Sequence, residues 1–335
     1  MEHLQFEHIK VQIHAATAGQ ILEMEGIIQR VISKQVIEVA LARRTKATRN
    51  SRTCPHCQGN NIVLHGRDQN GRQRFRCRGC RKTYNIMTGT PLARARKPEK
   101  WVKYLACMTN HLSVRKIVAS GIGVHQVTAW RWRHRFLHAA ANDNASILSG
   151  VVEVDETFFP RSFKGTRGWK SGKPPANRAA RRRAWSVGKR DLSHEKVPVL
   201  TALDSSGGVF EAILPSLDDI EAALEGRIAA GSVLCSDGRA AYVNVADKAN
   251  AEHYAVFVST ITPDAVKLSP IATPACKPGR LGLGRVNNHH QRLKHLINER
   301  CHGVATKYLI NYLGWQRAMI RPGFEGQALL SQALA

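Results

Sequence analysis

The sequence predicts an α/β protein in which a sheet domain follows a cysteine module and a helical region. Three observations predict it. Residues 151–159 and 231–238 each read as a short buried strand that runs into an aspartate at its C-terminal end, Asp155 and Asp237. Cys54, Cys57, Cys77 and Cys80 form two C-x-x-C pairs. Residues 98–140 carry apolar side chains at helical spacing around a glycine-containing turn. The expected divisions are a helical segment at 1–50, the cysteine module at 51–90, the helical region at 98–140 and the sheet domain at 150–320.

Composition narrows the classes. The chain has 335 residues, which suggests two or three domains of roughly 100–200 residues each. Hydrophobic residues make up 43%, enough for a core and too many for a disordered chain. Lys and Arg number 50 against 25 Asp and Glu, a formal charge of +25. Such an excess calls for a polyanionic partner, with nucleic acid ahead of a membrane surface. No apolar run approaches the roughly 18 residues of a spanning helix. The first eight residues lack the basic-then-apolar build of a signal peptide, so the cytoplasm is the expected location. Of the eight cysteines, Cys107, Cys235, Cys276 and Cys301 are scattered, which fits a reducing compartment better than a disulfide framework.

Taken in order, residues 1–50 repeat apolar side chains at spacings of three and four from Ile21 to Val39. The resulting face either contacts another protein or, preferably, packs on the next domain. Arg43, Arg44, Lys46, Arg49 and Arg52 follow as a basic lead-in, a solvated face or a phosphate contact. The two cysteine pairs stand 19 residues apart, a spacing that suits tetrahedral zinc in a closed structural ribbon. Gly79 is expected to allow the knuckle turn. Two short strands around the 68–71 turn complete the ribbon, and Arg74 and Arg76 on its basic strand are expected along a DNA backbone. A redox role for one pair is the competing reading.

Residues 98–140 begin with Pro98 in a first helical turn. A helix from Ser113, the 121–124 turn and a second helix from His125 match a helix-turn-helix, with an ordinary helical hairpin as the alternative. His125, Gln126, Thr128 and Arg131 would face base edges, while Trp130 and Phe136 would pack inward. The insertion at 161–196 holds twelve Lys and Arg, with glycines and prolines that read as a loop. Lys164, Arg181, Arg182 and Arg183 are its candidate DNA contacts; a merely solvated loop is the alternative.

In the sheet domain, strands are expected at 197–203 and 208–214 and a helix at 217–224. An acid at a strand end can cap it and face solvent. Two such strands side by side would instead bring Asp155 and Asp237 to shared hard cations able to act on a phosphodiester. Residues 286–297 form an amphipathic helix on which Asn287 and Lys294, two turns apart, share a face.

The cysteine pairs, the 154–159 run, Ser236-Asp237-Gly238, Val286-Asn287 with Lys294, and the 303–309 stretch together resemble bacterial insertion-sequence transposases. The nearest group is the ISXO-like, or fifteen-ninety-five, family with an N-terminal zinc ribbon. The resemblance covers most of residues 54–315. It implies a ribonuclease-H-like fold, a mixed sheet flanked by helices, with an acid on the first strand, one on the fourth and a third ligand on a following helix. It implies Mg²⁺ (or Mn²⁺) at Asp155, Asp237 and Asn287, zinc at the four cysteines, and Lys294 on DNA phosphate. Asn offers a carbonyl oxygen where the larger part of the class has Glu, and Glu299 is a rival third ligand. The implied activity is DNA strand cleavage and transfer at terminal inverted repeats by a homo-oligomer on double-stranded DNA. A DNA-binding regulator without catalysis and a nuclease that cuts without joining are the alternatives. The chain departs from the family at 282–285, where relatives carry a His and Gly-Leu-Gly-Arg stands instead.

Overall fold

The computed structural model describes residues 3–51, 53–141, 143–164, 196–256, 281–321, 324 and 326–334. Arg181, Arg182, Arg183 and Cys276 lie outside them. The chain divides into two compact units, residues 1–139 with 325–335, and residues 140–324. Among the described residues no helix is long and apolar enough to cross a membrane.

The first unit opens with helices α1 (His3–Ala15) and α2 (Ala18–Ser51). The apolar face of α2 does not pack as expected. Ile21, Leu22, Ile27, Ile28, Val31 and Ile32 are exposed, and burial begins only near Ile37. The physical reason is reach: α2 is 34 residues long, and among its described residues burial is concentrated in the C-terminal part, from about residue 36. A three-stranded antiparallel sheet follows: β1 (Ile62–Arg67), β2 (Gln73–Cys77) and β3 (Thr83–Asn85). Phe75 stacks on Tyr84 at 5.4 Å as its small core. The third strand was not foreseen in the sequence.

Helices α3 (Trp101–Thr109), α4 (Val114–Ala119) and α5 (Gln126–Ala141) come next. Ser113 caps α4 by accepting the Lys116 N–H at 3.3 Å. Gly121 and Gly123, at φ 74° and 67°, make the turn that aims the chain into α5. Trp101, Tyr104, Met108, Ile117, Trp132, Phe136 and Leu137 form the core of these helices. Phe136 packs inward as expected. Trp130 does not: it is 41% exposed and lies against His134, because Ala129 and Trp132 take the inward face of α5.

The second unit is a five-stranded mixed sheet. Its strands are β4 (Val151–Pro160), β5 (Lys196–Leu203), β6 (Val209–Ile213), β7 (Val233–Ser236) and β8 (Glu252–Ala255), in the order β6-β5-β4-β7-β8. The β4, β5 and β6 pairings are antiparallel, and β7 and β8 join in parallel. The strand β4 is longer than expected. Asp155 stands at its middle, since β5 pairs with it as far as Pro160. The parallel pairing with β7, however, ends at Glu153↔Cys235.

Alternation divides the sheet's faces. Val152, Val154, Leu200, Ala202 and Leu234 pack with Tyr242, Val245 and Ala246 in one core. These last three belong to α7 (Ala240–Ala249), which follows the short α6 (Ile220–Leu224). Glu153, Asp155, Thr201 and Glu211 leave the opposite face. That face carries α8 (Gly284–Lys294), which continues as a π-helical turn (His295–Arg300), and α9 (Leu309–Ile320). The carboxylate of Glu153 docks α8: it accepts the backbone N–H of Arg285 at 2.7 Å and of Val286 at 3.0 Å, and the Arg285 guanidinium at 2.8 Å. Arg285 closes the 282–285 segment, and this docking is the contact that the segment makes.

A buried triad holds α9 to the sheet. Glu211 receives Arg317 Nη1 at 2.5 Å and meets His289 Nε2 at 2.8 Å. Arg317 also donates to the carbonyls of Ala141 and Asp143. Both ions are about 1% exposed, so removing one strands the other in a low dielectric. The expected outcome for Arg317→Met is a loss of about 3–5 kcal/mol in the denaturant unfolding of the second unit. Arg161→Met, outside this triad, serves as the comparison.

Candidate metal centre

The local sequence builds the site at the place where β7 stops. Beyond Glu153 the β7 side of β4 has no further parallel pairing, and the chain leaving β7 turns at Gly238 (φ 86°). Asp237 therefore comes to lie beside Asp155. Carboxylate oxygens of Asp155, Glu156 and Asp237 all lie within 4.8 Å of one another. Neighbours on a strand leave opposite faces, so alternation does not mark Glu156 as a partner of Asp155. At this open edge both side chains reach the same point.

Each acid has a different environment. Glu156 is 2% exposed at its side chain and accepts the Tyr242 hydroxyl at 2.8 Å. Asp237 is 37% exposed and paired with Arg239 Nε at 3.1 Å, and the same nitrogen is 4.0 Å from Glu156. Asp155 is 23% exposed and has His290 Nδ1 at 3.7 Å. Burial, reinforced by the charges of Glu156 and Asp237, pushes the Asp155 carboxyl up to about 6. Burial raises Glu156 as well, against the Tyr242 hydrogen bond and the Arg239 charge. It also drives His290 down to about 3, helped by His289 and Lys294, so that ring is uncharged. Burial and the same carboxylates drive the Tyr242 hydroxyl far upward, so it stays a donor.

On α8 the inward side chains are Val286, His289, His290 and Leu293, while Asn287 and Lys294 are exposed. At about 100° per residue, Asn287 and Lys294 stand roughly 60° and 40° around the helix from His290, both to the same side. Both therefore lie together beside the ring that faces Asp155. Glu299 is not part of the acidic cluster; it lies 69% exposed in the π-helical turn, 2.6 Å from His295 Nδ1. Tyr242, Arg239 and His290 had no signal in the sequence beyond the period of the helices that carry them.

The four cysteines form a second donor group, with sulfurs within 4.8 Å of one another. Cys54–Cys80 and Cys57–Cys77 are each separated by 3.7 Å. Four sulfurs about 2.3 Å from one tetrahedral zinc stand ~3.8 Å apart, so the donor set fits that ion. The knuckles turn at Gln58 (φ 59°) and Arg81 (φ 60°) rather than at Gly79, correcting the expected role of that glycine. The Cys80 backbone N–H draws the Cys77 thiol down to about 7, which favours thiolate at neutral pH.

The remaining sequence candidates are spread over both units. Arg74 lines an open cleft of about 770 Å³ with Arg72, Arg94 and Arg96. His125, Thr128 and Arg131 line a second, of about 440 Å³, with Arg94, Arg96 and Arg135. His125 Nδ1 also accepts the Val127 N–H at 3.3 Å, at the start of α5. Gln126 and Arg76 are exposed. Lys164 donates to the His302 carbonyl at 3.1 Å, so its ammonium is partly engaged within the second unit. The Arg94–Arg96 segment, common to both clefts, was not singled out in the sequence.

No protein-family model matches the chain. A protein of transposable element ISH50 from Halobacterium salinarum, itself uncharacterised, is 29% identical over 184 residues. The match covers 54% of this chain and 57% of that relative, so the chain spans little more than half the relative's length. The protein is thus similar to one borne by an insertion element. Among solved structures, the simian T-cell lymphotropic virus intasome in complex with the PP2A regulatory subunit B56 gamma aligns over 68% of this chain and 73% of that chain. The identity is 11% and the TM-score 0.29, a likeness that carries no argument.

The raised carboxyl of Asp155 has a consequence for stability. Its ordinary value is 3.8, so between there and about 6 the folded chain holds a proton that the unfolded chain has lost. Stability contributed by this group is full below that window and falls as pH rises through it. In metal-free protein Asp155→Asn, which cannot ionise, should therefore gain on the order of 1–3 kcal/mol at about pH 7.5. The gain should vanish near pH 4. Denaturant unfolding at the two pH values reads both quantities.

Proposed function

We propose that this protein is a transposase with a ribonuclease-H-like catalytic unit, which cleaves DNA at element ends and joins them to a target. The observation that carries the reading is the meeting of Asp155, on the central strand, with Asp237, just past the end of its parallel neighbour. The strand order 3-2-1-4-5 of the second unit supports that fold, with the first three strands antiparallel and the last two added in parallel. The similarity to a transposable-element protein supports the biology.

The donor chemistry fits a hard divalent cation. Carboxylate oxygens converge from two strands, and an amide carbonyl is available on α8 at Asn287. The elevated carboxyl of Asp155 reflects buried negative charge that the protein's own cations leave incompletely balanced. In this reading Asp155, Asp237 and Asn287 hold the ions, and Lys294 meets a DNA phosphate. Bound Mg²⁺ or Mn²⁺ would supply Lewis acidity to the attacking and leaving oxygens. In cleavage a water oxygen bonds to phosphorus, the bond to the 3′ oxygen breaks, and that oxygen takes up a proton. In joining, the freed 3′ hydroxyl loses its proton and bonds to a target phosphorus, releasing the target's own 3′ oxygen.

The first unit would bind DNA. Its cysteine group is a zinc ribbon in this reading, and α4, its glycine turn and α5 are a helix-turn-helix. Arg74, Arg76, His125, Gln126, Thr128 and Arg131 present to phosphates and base edges of inverted repeats. A homo-oligomer would bring two element ends together.

One observation favours a second reading, a DNA-binding protein without catalysis. Arg239 lies against Asp237 and near Glu156, and so gives the acids a counter-ion of the protein's own.

Nicking of supercoiled plasmid separates the two readings. Mg²⁺-dependent nicking is expected in the wild type, with a fall of about a thousandfold or more in Asp155→Ala and Asp237→Ala. DNA binding with no nicking under any divalent ion sinks the catalytic reading. Elemental analysis should find one zinc per chain, lost in Cys54→Ser together with much of the DNA affinity.

A further inference from the structure

The acidic cluster has a neighbour that neither the motif pattern nor the third-ligand choice accounts for. His290 is 5% exposed at its side chain, and Nδ1 stands 3.7 Å from Asp155 Oδ2. That is beyond a hydrogen bond. It is within the span of two ligand bonds to one ion, which sum to roughly 4.2 Å. The other ring nitrogen, Nε2, is buried without a hydrogen-bond partner. Two hydroxyls on the same sheet face share that condition. Thr201 is paired with Asp155 across β4 and β5, and Thr157 lies two residues along β4; both Oγ1 atoms are buried and unpartnered. Buried polar atoms normally have partners, so three unpartnered ones on the sheet face that carries Asp155 and α8 set this face apart from ordinary packing.

We propose that His290 is a nitrogen ligand of the cation held by Asp155, and that the centre therefore takes Mn²⁺ in preference to Mg²⁺. The inference rests on the metal-centre reading above. Mg²⁺ is bound through oxygen and gives up water reluctantly, whereas imidazole suits first-row transition ions. The ring lies on the opposite face of the sheet from Glu156 and Tyr242. Asp155, shared by both sides, would bridge an ion bound toward Asp237 and Glu156 and one bound toward α8. Asn287 and Lys294 stand together on one side of the ring, exposed, and would serve the second ion's shell and phosphate.

Pulsed electron paramagnetic resonance of the full, zinc-saturated chain loaded with Mn²⁺ tests this, since a directly bound nitrogen modulates the Mn²⁺ echo. The wild type should show histidine nitrogen modulation. His290→Gln should lose it and bind Mn²⁺ about tenfold more weakly, with a smaller loss for Mg²⁺. Bound Mn²⁺ without nitrogen modulation, or modulation that persists in His290→Gln, overturns the assignment while leaving the acidic centre standing. No Mn²⁺ binding, or binding unchanged in Asp155→Asn, overturns the metal centre and this inference together. Should His290→Gln fail to fold, wild-type protein labelled with ¹⁵N-histidine replaces it: an echo that the label does not change overturns the assignment.

Discussion

The second unit depends on one mismatch in strand length. The strand β4 has ten residues, and β5 pairs with it from Glu153 to Pro160. The parallel strand β7 has four and covers only the first three positions of β4. Were β7 longer, the β4 edge at Asp155 would be occupied by backbone. Because it stops at Ser236, the chain turns there and leads directly into α7. That turn places Asp237, Arg239 and Tyr242 around the free edge of β4 in a span of six residues. On the other face Glu153, two residues before Asp155, anchors the N-terminus of α8 through backbone N–H groups. The acid that starts the site and the acid that docks the helix are thus spaced by one strand period.

The first unit shows the same economy at smaller scale. Two left-handed residues, Gln58 and Arg81, close the two cysteine knuckles and bring four sulfurs to the separation of a tetrahedral shell. Arg94 and Arg96 then border both basic clefts of this unit. Arg135 donates to the Ala93 carbonyl at 2.6 Å and so fixes that segment to α5. That anchor fixes the backbone of the segment, while the Arg94 and Arg96 side chains stay exposed.

Much of this was legible in the sequence because the signals were local. Cysteine spacing located the thiol group, helical period located α8, and acids in two apolar strand patterns drew attention to Asp155 and Asp237, although β4 runs on past Asp155 to Pro160. What was not legible was non-local. Period-two alternation assigns Asp155 and Glu156 to opposite faces, and only the end of β7 makes them neighbours. Tyr242 belongs to α7 and Arg239 immediately precedes it, and the position of that helix follows from the parallel crossover. The exposed apolar face of α2 failed for a related reason: periodicity shows that a helix has an apolar face, not that a partner is long enough to cover it. Glycine at 79 suggested a turn that Arg81 makes instead, since a left-handed non-glycine residue is not marked by composition.

The buried acids of the second unit show which of them serve the fold. Glu153 and Glu211 are almost wholly buried, and each has a guanidinium at hydrogen-bond distance, from Arg285 and Arg317, with further donors completing the shell. Charges paired in this way are structural. Glu156 is intermediate, with a neutral hydroxyl from Tyr242 and a guanidinium at 4.0 Å. Asp155 is at the other extreme. Its near neighbours are two more carboxylates and an uncharged imidazole, with Arg239 as the nearby cation, and burial raises its carboxyl despite that charge. In a chain with twice as many basic as acidic residues, a cation to pair with Asp155 would be easy to supply. Arg239 balances it only in part, and the raised carboxyl costs stability near neutral pH. Asp155 and Glu153, two residues apart on one strand, thus differ in kind: one carboxylate is closely paired and hydrogen-bonded, the other sits among like charges.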